Sequence, residues 1–364
     1  MRIKEVINAL EAWAPRSLQE DYDNCGLQVG DPGTEVSAAM VCLDCTEQVV
    51  EEAARMGCGL IISHHPVIFR GLKSLAGGGP VERTVLSAIR HGIALYAIHT
   101  NLDNVIDGVN GEIAARLGLT GVQVLDPKPA QLRKLVVYVP MDHADAVRNA
   151  LFSAGAGHIG NYDECSFTVG GMGTFRPGPG SSPFLGEQGT RESVAEFRLE
   201  FIYSTPQERT ILAAMRAAHP YEEVAYDLLP LANTDPRVGS GLVGELPGPM
   251  EEQAFLQHLK EVFSLAVVRH TRLLGRPVKR VALCGGSGAF LIGKARSAGA
   301  DAYLTGDVKY HEFFEADGRL LLADIGHYGS EQFTMHLIQR RLREVLPTFA
   351  VRLTETVTDP IYHS

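Results

Sequence analysis

Between residues 38 and 99, short apolar runs alternate with amphipathic segments. The run AAMVCLDC (38–45) reads as a buried strand. TEQVVEEAARMG (46–57) has helical spacing, with Thr46 placed to cap its start and Gly57 to end it. CGLIIS (58–63) and IALYAIH (93–99) read as further strands, and VERTVLSAIRHG (81–92) as the helix between them. Strands alternating with helices predict a parallel sheet covered on both faces.

The same order returns from about residue 235. RVALCG (280–285) is a strand, AFLIGKARSAGA (289–300) a helix and DAYLTG (301–306) a strand. EFFEADG (312–318) follows as a short helix and RLLLADI (319–325) as a strand. AARMGCGLIISHH (53–65) aligns with KARSAGADAYLTGD (294–307) if one residue is inserted before Gly299. The two stretches therefore read as a duplicated α/β unit.

The middle of the chain has another rhythm. KLVVYVP (134–140), CSFTVGG (165–171), AEFRLEFIYS (195–204) and EVAYDLLPL (223–231) are strand-like. HADAVRNALFSAG (143–155) and QERTILAAMRAAH (207–219) are helical. The order β-α-β-β-α-β predicts a ferredoxin-like domain. A Gly/Pro/Ser-rich loop, 173–189, separates its middle strands, and turn-rich segments at 126–131 and 231–241 bound it. The expected organisation is two related α/β halves, 1–130 and 235–364, with an inserted α+β domain at 131–234.

Composition narrows the partners. The 364 residues are 45% hydrophobic and 21% charged, values of an ordinary globular chain. A net charge of −10 disfavours general binding to nucleic acid or an anionic membrane. No apolar run reaches the ~18 residues of a membrane span. The first 15 residues space their apolar positions as an amphipathic helix rather than a signal peptide, so a cytoplasmic protein is expected. Six cysteines in this length do not form a disulfide framework.

Candidate chemistry collects after the strands. Ser63-His64-His65-Pro66 follows CGLII directly, where open α/β sheets bind ligands. Adjacent histidines on extended backbone point in different directions, so each can serve its own ion. Asp103 lies just past IALYAIH, where a carboxylate can bridge two ions, and His99 beside it suits an acid–base role. The matching strand RLLLADI runs into His327 and Glu331, spaced i and i+4 on one helix face. This mixed nitrogen and oxygen set suits Zn, Fe(II) or Mn(II), and neither a structural Cys site nor an all-oxygen Ca site. Five protein ligands for two ions leave positions for water, the arrangement of a hydrolase.

The strings DNCGLQVG (23–30), LIISHHP (60–66), HTNLDNVIDGVN (99–110), CGGSG (284–288), LTGDVKYHE (304–312) and DIGHYGSEQ (324–332) resemble the Nif-three-like family, also described as GTP cyclohydrolase I type 2-like proteins. The resemblance extends over almost the whole chain. In the insert it includes GAGHIGNYDECSF (155–167), GTFRP (173–177) and HPYEEVAYD (219–227), which look like the longer members. Tyr22 departs from the Trp of many members. The resemblance implies a Nif-three-like core with a PII/CutA-like insert and a ring-like homohexamer. It also implies two divalent metal ions per chain on His64, His65, Asp103, His327 and Glu331.

Other signals weigh less. Cys42 and Cys45 form a CxxC with no partner pair, and Gly285–Gly288 reads as a tight turn more readily than a phosphate cradle. Asp307 and His311 follow DAYLTG at the place matching His64-His65, and are assigned with Asn24 to substrate contact or support of the ligands. His219-Pro220-Tyr221 reads as a helix end followed by a Pro turn. The functional expectation is metal-dependent hydrolysis of a nucleotide-type small molecule, with His99 carrying a proton. The alternative is a non-catalytic metal-binding ring whose insert binds a regulator or partner.

Overall fold

The computed structural model describes residues 1–363. They form two compact units, one made of Met1–Pro127 with the chain from Pro236 on, the other of Lys128–Asp235. Residues 1–127 contribute α1 (Ile3–Trp13), β1 (Gly26–Val29), β2 (Ala38–Cys42), α2 (Glu47–Arg55), β3 (Leu60–Ser63), α3 (Pro80–His91), β4 (Ala94–Ala97), α4 (Thr100–Asp103), α5 (Val109–Arg116) and β5 (Thr120–Pro127). The second unit holds β6 (Leu132–Pro140), α6 (Ala144–Ser153), β7 (Phe167–Phe175), β8 (Glu192–Ser204), α7 (Glu208–Ala218) and β9 (Tyr226–Pro230). The chain then returns with β10 (Gly239–Met250), α8 (Glu252–Phe263), β11 (Arg269–His270), β12 (Val278–Ser287), α9 (Ile292–Ser297), β13 (Ala302–Gly306), β14 (Leu321–Asp324), α10 (His327–Glu331), α11 (Thr334–Val345) and β15 (Ala350–Leu353).

The first sheet runs β1-β4-β3-β2-β15, with β1 antiparallel and the rest parallel. The second runs β11-β14-β13-β12-β10-β5, with β12, β13 and β14 parallel. Strands β2, β3 and β4 thus correspond to β12, β13 and β14, and each triplet carries an antiparallel strand on the same side. All residues of β2, β3 and β4 are buried, which is why they are continuous apolar runs rather than alternating ones. Thr46 Oγ1 accepts from Val49 N at the start of α2, and Gly57, at φ +68°, ends it. α2 buries Val49, Val50 and Ala53 against Met40, Ile61 and Leu95 of the sheet. On the opposite faces, Val41, Ile62 and Tyr96 of the first sheet and Val281, Leu283 and Leu304 of the second belong to one shared core.

The two α/β stretches exchange edges, because β5 lies in the second sheet and β15 in the first. Two local expectations are corrected. The segment 289–300 opens as a 3₁₀ turn, Ala289–Leu291, before α9, and Glu312–Ala316 is 3₁₀ rather than α. Single turns of 3₁₀ helix are common at helix starts and as connectors between strands.

The second unit is a four-stranded antiparallel sheet in the order β7-β8-β6-β9, the ferredoxin-like order for β-α-β-β-α-β. Leu135, Val137, Val139, Leu199 and Phe201 pack with Val147, Leu151, Ile211 and Met215 of α6 and α7. Among the described residues, no helix is long and apolar enough to cross a membrane.

Candidate metal centre

Parallel pairing brings the carboxyl ends of β3 and β4 level, with Ser63 opposite Ala97. In the second sheet it sets Thr305 opposite Asp324. The residues that follow these ends meet. His64 is fully buried, and its Nδ1 bonds the Ile98 carbonyl at 2.8 Å. That bond makes Nδ1 the donor and leaves the Nε2 lone pair free. Nε2 faces Asp103 Oδ1 at 3.7 Å and Glu331 Oε1 at 3.8 Å. His65 Nε2 faces Glu331 Oε2 at 3.0 Å and His327 Nε2 at 3.2 Å. His327 Nε2 lies 3.0 Å from the same Glu331 Oε2, because residues four apart on α10 share a face.

Two donor groups meet at Glu331: His64, Asp103 and Glu331 in one, His65, His327 and Glu331 in the other, while a third brings His64 and His65 together with His99. Glu331 offers one oxygen to each of the first two. Glu331 is the carboxylate common to both. Asp103 closes a one-turn helix, and its oxygen lies with His64 and Glu331.

Three observations fit divalent ions here. First, His64 Nε2 and Asp103 Oδ1 are buried without a hydrogen-bond partner among the described residues, a costly state unless a ligand completes it. Second, two donors bound to one ion at ~2.0–2.1 Å in tetrahedral geometry stand ~3.3 Å apart, and the donor separations here bracket that spacing. Third, His65 Nδ1 bonds Asp44 Oδ1 at 2.7 Å and His327 Nδ1 bonds Asp307 Oδ2 at 2.7 Å. Each carboxylate fixes its imidazole with Nε2 turned inward, the usual support of a metal-bound histidine.

The electrostatics follow. Burial works against charge on Glu331, but the His327 and His65 rings bonded to it hold its carboxyl well below the usual range. Burial and the nearby Glu331 charge push Asp103 well up. Burial lowers His64 and keeps it neutral. For His65 burial is outweighed by Asp44 and Glu331, which raise it to about 10. Glu331 and Asp307 likewise raise His327 to about 9. Without a cation, two protons stand where a metal's charge would.

The close approach of the chain behind Glu331 needs a glycine. Gly286 has φ +61°, and a Cβ there would stand 2.4 Å from Glu331 Oε1. Its N–H donates to Ser330 Oγ. The Gly285–Gly288 turn is thus the back wall of the site.

His99 Nδ1 bonds Asp23 Oδ1 at 2.8 Å, and its ring packs edge-on against His64 and His65, 5.2 and 5.3 Å away. Asp307, given to substrate contact or ligand support, is bonded to His327 and also lines the cleft. Asn24 donates to the Ile68 carbonyl and braces that loop. His311 lies against Tyr310 and Phe314, outside both donor groups. Cys42 is buried and Cys45 half-buried, and neither is in a donor group.

Sequence reasoning missed Asp44 and the C-terminal segment. Thr358 Oγ1 donates to Asp44 Oδ2 at 2.9 Å, and Asp359, Pro360 and Ile361 line the cleft above the site. Asp44 had a legible signal: it ends a strand adjacent to β3.

Comparisons with known proteins agree along the chain. A protein of Halalkalibacterium halodurans named GTP cyclohydrolase 1 type 2 homolog is 41% identical, covering 94% of this chain and 92% of that one. A Bacillus subtilis protein of the same name is 39% identical over 98% of this chain and 97% of its own length. The crystal structure of a Bacillus cereus protein related to NIF3 matches with a TM-score of 0.89 at 37% identity, covering 100% of this chain and 99% of that one. The family model matching residues 1–360 completes the assignment: the chain belongs to the Duf34/NIF3 (NGG1p interacting factor 3) family.

Proposed function

We propose that the protein is a metal-dependent hydrolase of a nucleotide-type small molecule, with two divalent ions held by His64, His65, Asp103, His327 and Glu331. The observation that carries this reading is Glu331, whose two oxygens each face a separate donor group. A bound divalent pair supplies Lewis acidity and an acidified water at neutral pH. The chain supplies the rest. Asp44 and Asp307 orient His65 and His327. Asp23 fixes His99 through Nδ1, so its Nε2 is the atom left to take or give a proton at the edge of the site. Above them opens a cleft of about 400 Å³, with Leu43, Pro66, Phe69 and Ile361 among its walls. Apolar walls over a polar floor suit a flat ring with a reactive polar edge. The name of the relatives supports a guanine nucleotide as the first substrate to try. The reading includes assembly as a homohexamer, testable by light scattering.

Elemental analysis of untagged protein purified without chelator tests the metal pair, with the His64→Ala/Glu331→Ala variant beside it. About two ions per chain, lost in the variant, is the expected result. No stoichiometric metal after reconstitution with Zn, Mn and Fe(II) overturns the site. Loaded protein that turns over neither GTP nor related nucleotides overturns the hydrolase reading while leaving the site intact.

A further inference from the structure

The second unit holds a pocket of its own. Side chains alternate across its sheet. Val137, Val139 and Leu199 face the helices, so Tyr138, Glu196 and Arg198 face the other way. The loop after β7 and the turn at 219–223 close over this face around a cavity of about 650 Å³.

Glu196 lies at its floor, 8% exposed. Gly173, paired across from Val194, leaves room for it: a Cβ there would stand 2.0 Å from Glu196 Oε2. Among the described residues its carboxylate receives one hydrogen bond, from Tyr221 Oη to Oε1 at 3.0 Å. His219 sets that tyrosine in place. Its Nε2 donates to the Tyr138 carbonyl at 2.9 Å, and its Nδ1 accepts from Tyr221 N at 3.1 Å. Phe175 and Phe184 flank Tyr221 at ring separations of 5.7 and 6.3 Å. Ser182 N donates to Glu222 Oε1 at 2.8 Å and latches the loop to the turn. The GTFRP and HPYEE strings therefore converge on one buried carboxylate.

A carboxylate taken out of water among aromatic rings is costly unless a positive partner meets it. Glu222 and Glu223 also line the cavity; of its two arginines, Arg198 is paired with Glu200 at 2.9 Å and Arg176 is exposed at the rim, so among the described residues three carboxylates face one unpaired cation. The balance favours cations. Aromatic faces attract cations as well. We propose that the insert binds a small organic cation, a protonated amine or amidinium on a flat apolar body. Glu196 is its counter-ion, and Tyr138, Phe175, Phe184 and Tyr221 are its walls. The site is independent of the metal reading.

Calorimetric titration of the full-length protein with benzamidine and phenethylamine tests this, with benzoate as the charge-reversed control. Saturable binding of the cations, one per chain, and none of benzoate is expected. Glu196→Gln removes a charged hydrogen-bond acceptor and weakens binding about tenfold or more. Phe184→Ala, at a position already half-exposed on the loop, weakens it several-fold with the fold kept, should Glu196→Gln misfold. Three results overturn the proposal. One is no saturable binding of either cation up to millimolar concentration. Another is equal affinity for benzoate, or affinity unchanged in both variants. The third is a concentration-dependent rise in mass, lost in Phe184→Ala, with no ligand heat, which would give the cavity to a second copy of the chain.

Discussion

Glu52→Gln tests whether the C-terminal segment is strapped to the metal centre by one buried carboxylate. Glu52, on α2, is 5% exposed. Its Oε1 accepts from Glu355 N at 2.7 Å. Its Oε2 accepts from Thr354 Oγ1 at 2.5 Å, Thr356 Oγ1 at 2.7 Å and Thr356 N at 3.3 Å. Two residues on, Thr358 reaches Asp44, which orients His65. An amide has one acceptor oxygen. Placed at the Oε2 position it keeps three bonds, and its NH2 then meets the Glu355 N–H. One charge-assisted bond becomes a donor–donor contact and three are reduced to neutral strength, a local loss of about 2–4 kcal/mol. Hydrogen exchange at the Glu355 and Thr356 amides is expected to rise roughly thirtyfold to a thousandfold. Amides of β6, in the other unit, are expected to stay unchanged. Burial raises the Glu52 carboxyl, but these bonds outweigh it and hold it below the ordinary 4.5. The strap is therefore in place above pH 4.5 and is lost as pH falls through the lower folded value. Unchanged exchange at 355–356 in the variant would refute the reasoning. So would an equal rise throughout β2, β3 and β4, which would make Glu52 a support of the whole core.

Gly286→Ala puts a methyl 2.4 Å from Glu331 Oε1 on a left-handed residue. About 1–2 kcal/mol of stability and most bound metal should be lost; full metal content in a folded variant contradicts this. Asp44→Asn and Asp307→Asn each keep the shape but weaken orientation of their histidine. A ten- to hundredfold loss of metal affinity is expected in competition with a chromophoric chelator. The raised His65 and His327 values imply opposite pH responses for metal-free and metal-bound protein. In the metal-free protein their contribution to stability is complete below 6.5 and is lost as pH rises through about 9 to 10. Metal affinity rises with pH over the same span, because ions displace those protons. Calorimetry in two buffers of different ionisation enthalpy should count about two protons released near pH 7, and none released would contradict the assignment.

The residues that gather at the centre were legible because strand ends are legible. A run such as CGLIIS ends visibly at His64, and parallel pairing places all such ends on one edge. The i, i+4 spacing of His327 and Glu331 was readable for the same kind of reason: it is local. What escaped was long-range. Thr358 meets Asp44 across 314 positions, and no periodicity announces such a pair. Asp44 sits between Cys42 and Cys45, and the segment was weighed only for its discounted thiol pair. The bond from Asn24 to the Ile68 carbonyl was equally unreadable, since a polar residue that braces a loop looks, in sequence, like one that meets a ligand. The exchange of β5 and β15 was unreadable, since a short buried strand carries no mark of the sheet it will join.

Duplication explains why the centre is asymmetric. The two triplets of parallel strands have the same order, yet they end in different chemistry. After β3 come two histidines, and at the matching place after β13 comes Asp307. After β4 comes Asp103, and after β14 come His327 and Glu331. The second half therefore returns a carboxylate where the first offers imidazoles, and Asp307 spends it on orienting His327 rather than in either donor group. Two identical halves would have produced two equivalent sites. The divergent pair produces two adjoining groups joined through Glu331, one buried with His64 and Asp103, the other opening to the cleft through His65 and His327. Were two ions bound as proposed, the inner group would hold its ion away from water and the outer group would present its ion to the cleft. Loss of Asp103 should then empty the inner group first, and loss of His327 the outer. Metal counts on the two single variants separate that division from a centre that loads only as a unit.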